Sequence, residues 1–381
     1  MANRVTICAV AQIKNDPNLW HARFQNMLLE CFEGIISQTN VSFDMEKGIR
    51  TVLTCSDDVW DARTISDNAI TDVVGAHFRG EEKIAQESLN GLGYAMACIL
   101  SGHDDIILYM GHMKESQAES RGMCTNLAFD PFYCRPLGMD FVNVNAMQAR
   151  AYMATSGINE EHLANIVVRS RKNAKKNPYA RDNAIVNQDD VMKSPLLSDP
   201  LRELHYYPTT DWAFGMLLCN EKKAKEFTDK PVWITGFSNC MDSYFLGDKD
   251  LTSNFTLKNA TERALKKAGI KGLKNNFELY ELCDHAAYQL PMWAEGIGVI
   301  KDGDAGKWIR EGGMDECNIN ISGGMLNGNP LLLGGAARVI ECFYQLRGEA
   351  DKRQVKGAKR ALAQSTYGAA GQHQAVVIME V

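Results

Sequence analysis

Apolar and polar positions along this chain alternate between two rhythms. Residues 3–12 are almost continuously apolar, which predicts a strand buried on both faces. Trp20, Phe24, Met27, Leu28, Cys31, Ile35 and Ile36 recur at helical spacing within 19–38, predicting an amphipathic helix with one buried face. A second strand is predicted at 50–56, a helix rich in small residues at 81–101, and a third strand at 105–112. Core character returns at 212–219, followed by strands at 231–237 and 276–283 with a helix at 251–268 between them. A further helix covers 286–297. The short alternation Asn318–Ser322 predicts a strand, Gly323, Gly324, Gly328 and Pro330 a tight loop, and 331–348 an apolar helix closed by Gly348. The chain ends in a predicted hairpin, 360–365 and 374–381, around a turn at 367–371.

The order strand–helix–strand–helix–strand thus occurs twice, in 3–112 and in 231–381, without repetition of sequence. That predicts an α/β protein of two similar halves with helices sandwiched between sheets. The halves are 1–114, completed by about 206–222, and 229–381. Between them, 115–205 is rich in Pro, Asn, Arg and Lys, with a helix start at Ser156-Gly-Ile-Asn-Glu-Glu and a basic run from Arg169 to Arg181. An excursion of that length in a compact protein reads as a functional insertion, here a loop or lid over a site. The strand–loop–helix unit at 318–348 gathers backbone N–H groups and a helix N-terminus at one point, which suits an oxyanion or a phosphate. On glycines alone, a buried turn explains it equally well.

Composition narrows the class. With 381 residues and 45% hydrophobic residues, a large core is available. The net charge of −6 argues against a nucleic-acid binder. There is no 18-residue apolar run to span a membrane, and the opening Met1-Ala-Asn-Arg-Val lacks the features of a signal peptide. Eleven cysteines stand singly, without a C-x-x-C pair or a His cluster at ligand spacing. This predicts reduced thiols, a cytoplasmic protein and no metal site within the chain.

Several motifs in the same order carry a resemblance. They are Asn177-Pro-Tyr-Ala-Arg181, Ser194-Pro-Leu-Leu-Ser-Asp-Pro-Leu-Arg202, Pro231-Val-Trp-Ile234, Asn320-Ile-Ser-Gly-Gly324, Gly328-Asn-Pro330, Gln345-Leu-Arg-Gly-Glu349 and Arg353-Gln-Val-Lys-Gly-Ala358. Through them the chain resembles, nearly end to end, the thiolase superfamily of the sterol-carrier-protein-X type. The resemblance implies a five-layered αβαβα fold, a homodimeric core and coenzyme A thioesters as substrates, with coenzyme A consumed or released and nothing bound permanently.

The departures bear on mechanism. Such thiolases start one helix with a nucleophilic Cys, because a helix N-terminus lowers a thiol pKa. Here that segment reads Glu82-Lys-Ile-Ala-Gln-Glu-Ser-Leu-Asn-Gly-Leu-Gly93, and depending on register either Ala85 or Ser88 takes the Cys position. A serine there needs an adjacent base, and the sequence does not point to one. The family's His-Asp-x-Phe reads Cys283-Asp-His-Ala286, and its Gly-His-Pro reads Gly328-Asn329-Pro330. Cys283 is therefore a candidate relocated nucleophile or base, against an ordinary buried thiol, and His285 a candidate base, against a packing histidine. Asn329 is a candidate donor to an enolate or oxyanion, with Gly324 in the same loop. Tyr367 and His373 flank the C-terminal glycine turn as further acid/base candidates. Lys175, Lys176 and Arg181 are candidates for the phosphates of coenzyme A, and Phe129, Phe132, Tyr133 and Met139 for an acyl pocket.

Two reactions fit a thiolase-like chain without its cysteine. One is the retro-Claisen cleavage of a β-ketoacyl-CoA. The pattern of substitutions is similar to the thiolase subunit that acts on benzoylsuccinyl-CoA, to give benzoyl-CoA and succinyl-CoA in toluene breakdown. The other is the retro-aldol cleavage of a β-hydroxyacyl-CoA, as in steroid side-chain aldolases. A non-catalytic acyl-CoA-binding scaffold is a third reading. The resemblance also implies a small zinc-ribbon and OB-fold partner subunit, which would carry the only zinc.

Overall fold

The computed structural model describes residues 4–44, 46–61 and 64–381. The first half contains β1 (Val5–Gln12), α1 (Phe24–Thr39), β2 (Thr51–Cys55), β3 (Gly80–Lys83), α2 (Ser88–Ser101) and β4 (Ile106–Lys114). The stretch 115–205 carries α3 (Phe141–Ser156) and α4 (Glu160–Ala174). Then come β5 (Asp211–Asn220), β6 (Val232–Met241), α5 (Phe255–Ala268), β7 (Leu279–Leu282), α6 (Gln289–Ile297), α7 (Gly334–Arg347), β8 (Arg360–Tyr367) and β9 (His373–Glu380).

These nine strands join in one mixed sheet, in the order β3-β2-β4-β5-β1-β6-β9-β8-β7. β1 and β6, the first strands of the two halves, pair antiparallel at the middle, with Thr6 opposite Trp233. The halves therefore mirror one another about that pair: β4 and β2 correspond to β8 and β7, and both pairs are parallel. The buried Thr6 hydroxyl is satisfied there by the Val232 carbonyl at 2.9 Å. α2 packs on β2 and β4, α7 packs on β7 and β8, and the two helices touch. α1 covers β1, β4 and β5, and α5 covers β6 and β9. Alternation along β4 separates the faces: Tyr109 lies under Gly91 of α2, while its neighbour Met110 lies with Gly215 under α1. The order is α1, half-sheet, α2 with α7, half-sheet, α5, the expected five layers.

Three elements differ from the expectation. The segment predicted as helix from 81 is an edge strand, β3, paired parallel to β2. The helix begins only at Ser88, because the Glu87 side chain caps it, accepting the Leu89 N–H at 2.7 Å. Asn318–Ser322 is not a strand. Asn318 and Asn320 have φ of 49° and 45°, a left-handed backbone that asparagine tolerates and no strand contains. The backbone makes a single parallel bridge there, Ile319 to Tyr280, and the Asn320 carboxamide continues the pairing: it accepts the Leu282 N–H at 2.6 Å and donates to the Leu282 carbonyl at 2.9 Å. Leu331–Leu333 forms a 3-10 turn, so α7 starts at Gly334. Within 115–205, α4 begins where expected, its N-cap Asn159 accepting the His162 N–H at 3.0 Å.

Candidate active site

The two middle helices point their N-termini at one carboxyl group. Besides capping Leu89 of α2, Glu87 accepts the Gly335 N–H of α7 at 2.6 Å and the Ser88 hydroxyl at 3.0 Å. Ser88 Oγ in turn accepts the Ala336 N–H at 2.8 Å. Glu87 and Ser88 are fully buried. Burial pushes the Glu87 carboxyl up to about 7, against the opposing pull of the Leu89 and Gly335 N–H groups. Gly335 has to be glycine, since a Cβ there would lie 2.5 Å from Glu87 Oε1. Of the two registers open for the cysteine position, Ala85 falls in the loop before α2, and Ser88 is the first helical residue. The carboxyl that the Ser88 hydroxyl meets is that of the residue before it, Glu87. An acidic residue directly ahead of a helix of small residues was the available signal.

Cys283 lies against the same helix start: a Cβ on Gly334 would come within 2.8 Å of its Sγ. The thiol is fully buried, and burial, with Glu87 nearby, pushes its pKa well above the ordinary thiol value. This is the opposite of the environment that activates a thiolate. Iodoacetamide at pH 8 is accordingly expected to leave Cys283 unmodified in the folded chain and to alkylate it after denaturation, read by peptide mass. Rapid native labelling of Cys283 would show that the thiol is activated after all.

Asp284 accepts the Met325 N–H at 2.6 Å and is pushed up to about 7 by burial. Gly324, at φ 66°, passes so close that a Cβ would meet Asp284 Oδ1 at 2.5 Å, so this loop position needs glycine twice over. His285 is buried edge-on to Tyr207, with Nε2 3.4 Å from the Leu331 carbonyl. Burial pulls it down to about 4, so it is a neutral imidazole near pH 7.

A network that the sequence reading passed over holds Asn329. Arg338, on α7 and 3% exposed, donates to Glu281 Oε2 at 2.9 Å, Ser322 Oγ at 2.9 Å and Asn329 Oδ1 at 2.7 Å. The guanidinium thereby fixes which end of the Asn329 amide is oxygen. Its Nδ2 donates to Asn15 at 3.1 Å and keeps a second hydrogen. Asn329 and Arg338 line a cavity of about 20 Å³, room for one water and far too small for a thioester.

Tyr367 and His373 face each other at the closing pair of the terminal hairpin. Tyr367 packs edge-on to Phe141 of α3 at 5.9 Å, and burial raises its pKa. His373 Nδ1 is 3.1 Å from the Asn90 amide nitrogen on α2, and burial lowers its pKa. The hairpin is thus tied to the helix that Ser88 starts. Lys175 and Lys176 are exposed at the end of α4. Lys175 and Arg181 line a cavity of about 180 Å³ with Lys14 and Arg171. A larger one of about 480 Å³ is lined by Arg121, Arg171, Arg181, Tyr206, Tyr207 and Thr209, among others. Of the expected pocket aromatics, Phe129 is buried against Phe141, but Phe132 and Tyr133 are 82% and 71% exposed and line neither cavity. They lie on an outward-facing apolar run with Met123, Leu127 and Leu137.

Residues 239–380 match the family model described as thiolase C-terminal domain-like. The chain is 28% identical to an acetyl-CoA acetyltransferase of Methanothermobacter thermautotrophicus, over 96% of this chain and 97% of that one. It is 30% identical to an acetyl-CoA acetyltransferase of Methanocaldococcus jannaschii, over 71% of this chain and 70% of that one. It is 26% identical to the benzoylsuccinyl-CoA thiolase subunit BbsB of Thauera aromatica, over 56% and 57%. Among solved structures, the Ltp2-ChsH2(DUF35) aldolase superposes with a TM-score of 0.83 at 16% identity, covering 99% of this chain and 98% of that one; at that identity the likeness is one of fold.

Proposed function

We propose a carbon–carbon bond-cleaving acyl-CoA enzyme, from the premise that this chain belongs to the thiolase superfamily, in its sterol-carrier-protein-X-like branch. It is an acyltransferase of thiolase type. The finer reading is coenzyme A-dependent retro-Claisen cleavage of a β-ketoacyl-CoA, with benzoylsuccinyl-CoA as a candidate substrate. The Glu87–Ser88 pair supports this reading, because it brings together a hydroxyl, a carboxyl pushed up to about 7 and two helix N-termini.

Ser88 Oγ attacks the keto carbonyl while Glu87 takes its proton. The Cα–Cβ bond then breaks, and its electron pair enters the thioester carbonyl as an enolate. Asn329, oriented by Arg338, is the proposed donor to that enolate, the cavity beside it having to widen as the thioester enters. Protonation of the enolate carbon by Glu87 releases one acyl-CoA and leaves an ester on Ser88. The thiol of free coenzyme A, deprotonated by Glu87, attacks the ester and releases the second acyl-CoA, and the leaving Ser88 oxygen takes that proton back from Glu87. His285, neutral and buried, and Cys283, with its raised thiol pKa, serve in packing. Lys175 and Lys176, exposed at the end of α4, are the proposed contacts of the coenzyme A phosphates.

The working assembly proposed is a homodimeric core with a small zinc-ribbon and OB-fold subunit. The exposed run of Met123, Leu127, Phe132, Tyr133 and Leu137 supports such a docking face, since a monomer rarely leaves so many large apolar side chains in water. Intact-mass analysis under turnover, with and without that subunit, tests the chemistry. An acyl adduct on Ser88 that disappears in Ser88→Ala is the expected result. Full turnover in Ser88→Ala rejects the serine. Release of an aldehyde or ketone from a β-hydroxyacyl-CoA without added coenzyme A replaces the retro-Claisen reading with the retro-aldol one, Glu87 then acting on the hydroxyl.

A further inference from the structure

Arg171 projects from α4 and is only 6% exposed. Its Nε–H is buried without an acceptor, and it forms no hydrogen bond or ion pair with any described residue. A buried guanidinium without a counter-charge is among the costliest groups a fold can hold. Its charged neighbour is another cation, Arg181; burial first, and then Arg181, pull Arg171 down to about 10. Both line the cavity of about 480 Å³ together with Arg121. Arg181 donates to the Thr209 carbonyl at 3.1 Å but has its own Nε unpartnered. Arg121 is partly answered by Glu115 at 3.9 Å. Glu203 is the carboxylate in the lining, and it is exposed. Among the described residues no carboxylate forms an ion pair with Arg171.

We infer that Arg171 and Arg181 form a receptor for a second anionic group of the substrate, a carboxylate on its acyl portion. This rests on the acyl-CoA reading above and narrows it to monothioesters of dicarboxylic acids. Position decides between an acyl carboxylate and a coenzyme A phosphate. The Arg181 side chain lies against Gly328, a Cβ there meeting Arg181 Cβ at 3.0 Å, and the next residue is Asn329, the proposed enolate donor. Half-buried Arg181 therefore sits beside the reacting end, and buried Arg171 lines the same cavity with it. The exposed Lys175, with Lys14 in the smaller neighbouring cavity, suits phosphates in water.

Calorimetric titration of the full chain with succinyl-CoA, butyryl-CoA, coenzyme A and dephospho-coenzyme A tests this. Succinyl-CoA is expected to bind at least about 30-fold more tightly than butyryl-CoA, the effect of one desolvated carboxylate–arginine pair. Arg171→Met is expected to erase most of that preference and leave butyryl-CoA binding unchanged. Its melting temperature without ligand is expected to rise, because a lone buried charge has been removed. Equal binding of succinyl-CoA and butyryl-CoA by the unaltered chain overturns the inference and leaves the acyl-CoA reading standing. A loss in Arg171→Met that follows the 3′-phosphate, seen between coenzyme A and its dephospho form, assigns the arginines to phosphate and also overturns it. If no coenzyme A ester binds at all, the acyl-CoA reading itself falls.

Discussion

Glu87→Gln is expected to lower kcat by about 10²–10⁴, the usual contribution of a positioned general base. The substitution keeps the volume and one acceptor oxygen, so Gly335 and Ser88 retain a partner. It removes the group that takes the Ser88 proton. It also turns an amide donor toward the Leu89 N–H, which has no other acceptor among the described residues. In the unaltered chain kcat/KM should rise with pH through an apparent pKa near 7, because burial holds the Glu87 proton up to about 7 and only the ionised form is a base. Stability should run the other way. The folded pKa lies above the ordinary 4.5, so the folded state holds more protons than the unfolded state between about pH 4.5 and 7. This contribution is complete below that window and is lost as pH rises through it. Asp284, also raised to about 7, acts in the same direction from about 3.8. Glu87→Gln should therefore flatten part of the decline in melting temperature over this range. Unchanged kcat in Glu87→Gln, or a flat kcat/KM profile between pH 5 and 8, would remove Glu87 from the mechanism.

The elements that the sequence made legible are those whose periodicity comes from burial alone. β1, β4 and β5 are buried along nearly their whole length, and α1 has a single apolar face, so hydrophobic spacing marks them directly. The misread segments are those where a side chain stands in for backbone. Asn320 pairs with both backbone groups of Leu282, so a left-handed loop shows the alternation of a strand. Glu87 caps α2 across the gap to α7, so the helix begins later than its small residues suggest. The site followed the same division. The positions of Ser88, Cys283 and Asn329 could be found from motifs. The groups that set their chemistry could not: Glu87 and Gly335 are separated by 248 residues, and Arg338 and Glu281 by 57. No local pattern records such pairings.

Arg338→Met should cost about 3–5 kcal/mol of stability, the range for breaking a buried ion pair from one side. Methionine fills the space but leaves Glu281, fully buried, with Ser322 alone to answer its charge. It also frees the Asn329 amide and removes the partner of Ser322 on α7. Arg338→Lys should recover little, because one ammonium cannot reach Glu281, Ser322 and Asn329 in the planar fork that the guanidinium spans. The double variant Glu281→Gln, Arg338→Met is the decisive comparison. Gln keeps an acceptor for Ser322 and carries no charge, so the double variant should be more stable than Arg338→Met alone. Activity should not recover with stability in that variant, since Asn329 then keeps, among the described residues, only its Asn15 contact and has lost the donor that holds its oxygen. Urea unfolding of the four proteins, read beside turnover, separates the two roles. A double variant no more stable than Arg338→Met would mean that the uncompensated charge is not what destabilises the fold. Restored turnover in the double variant would mean that Arg338 does not position Asn329.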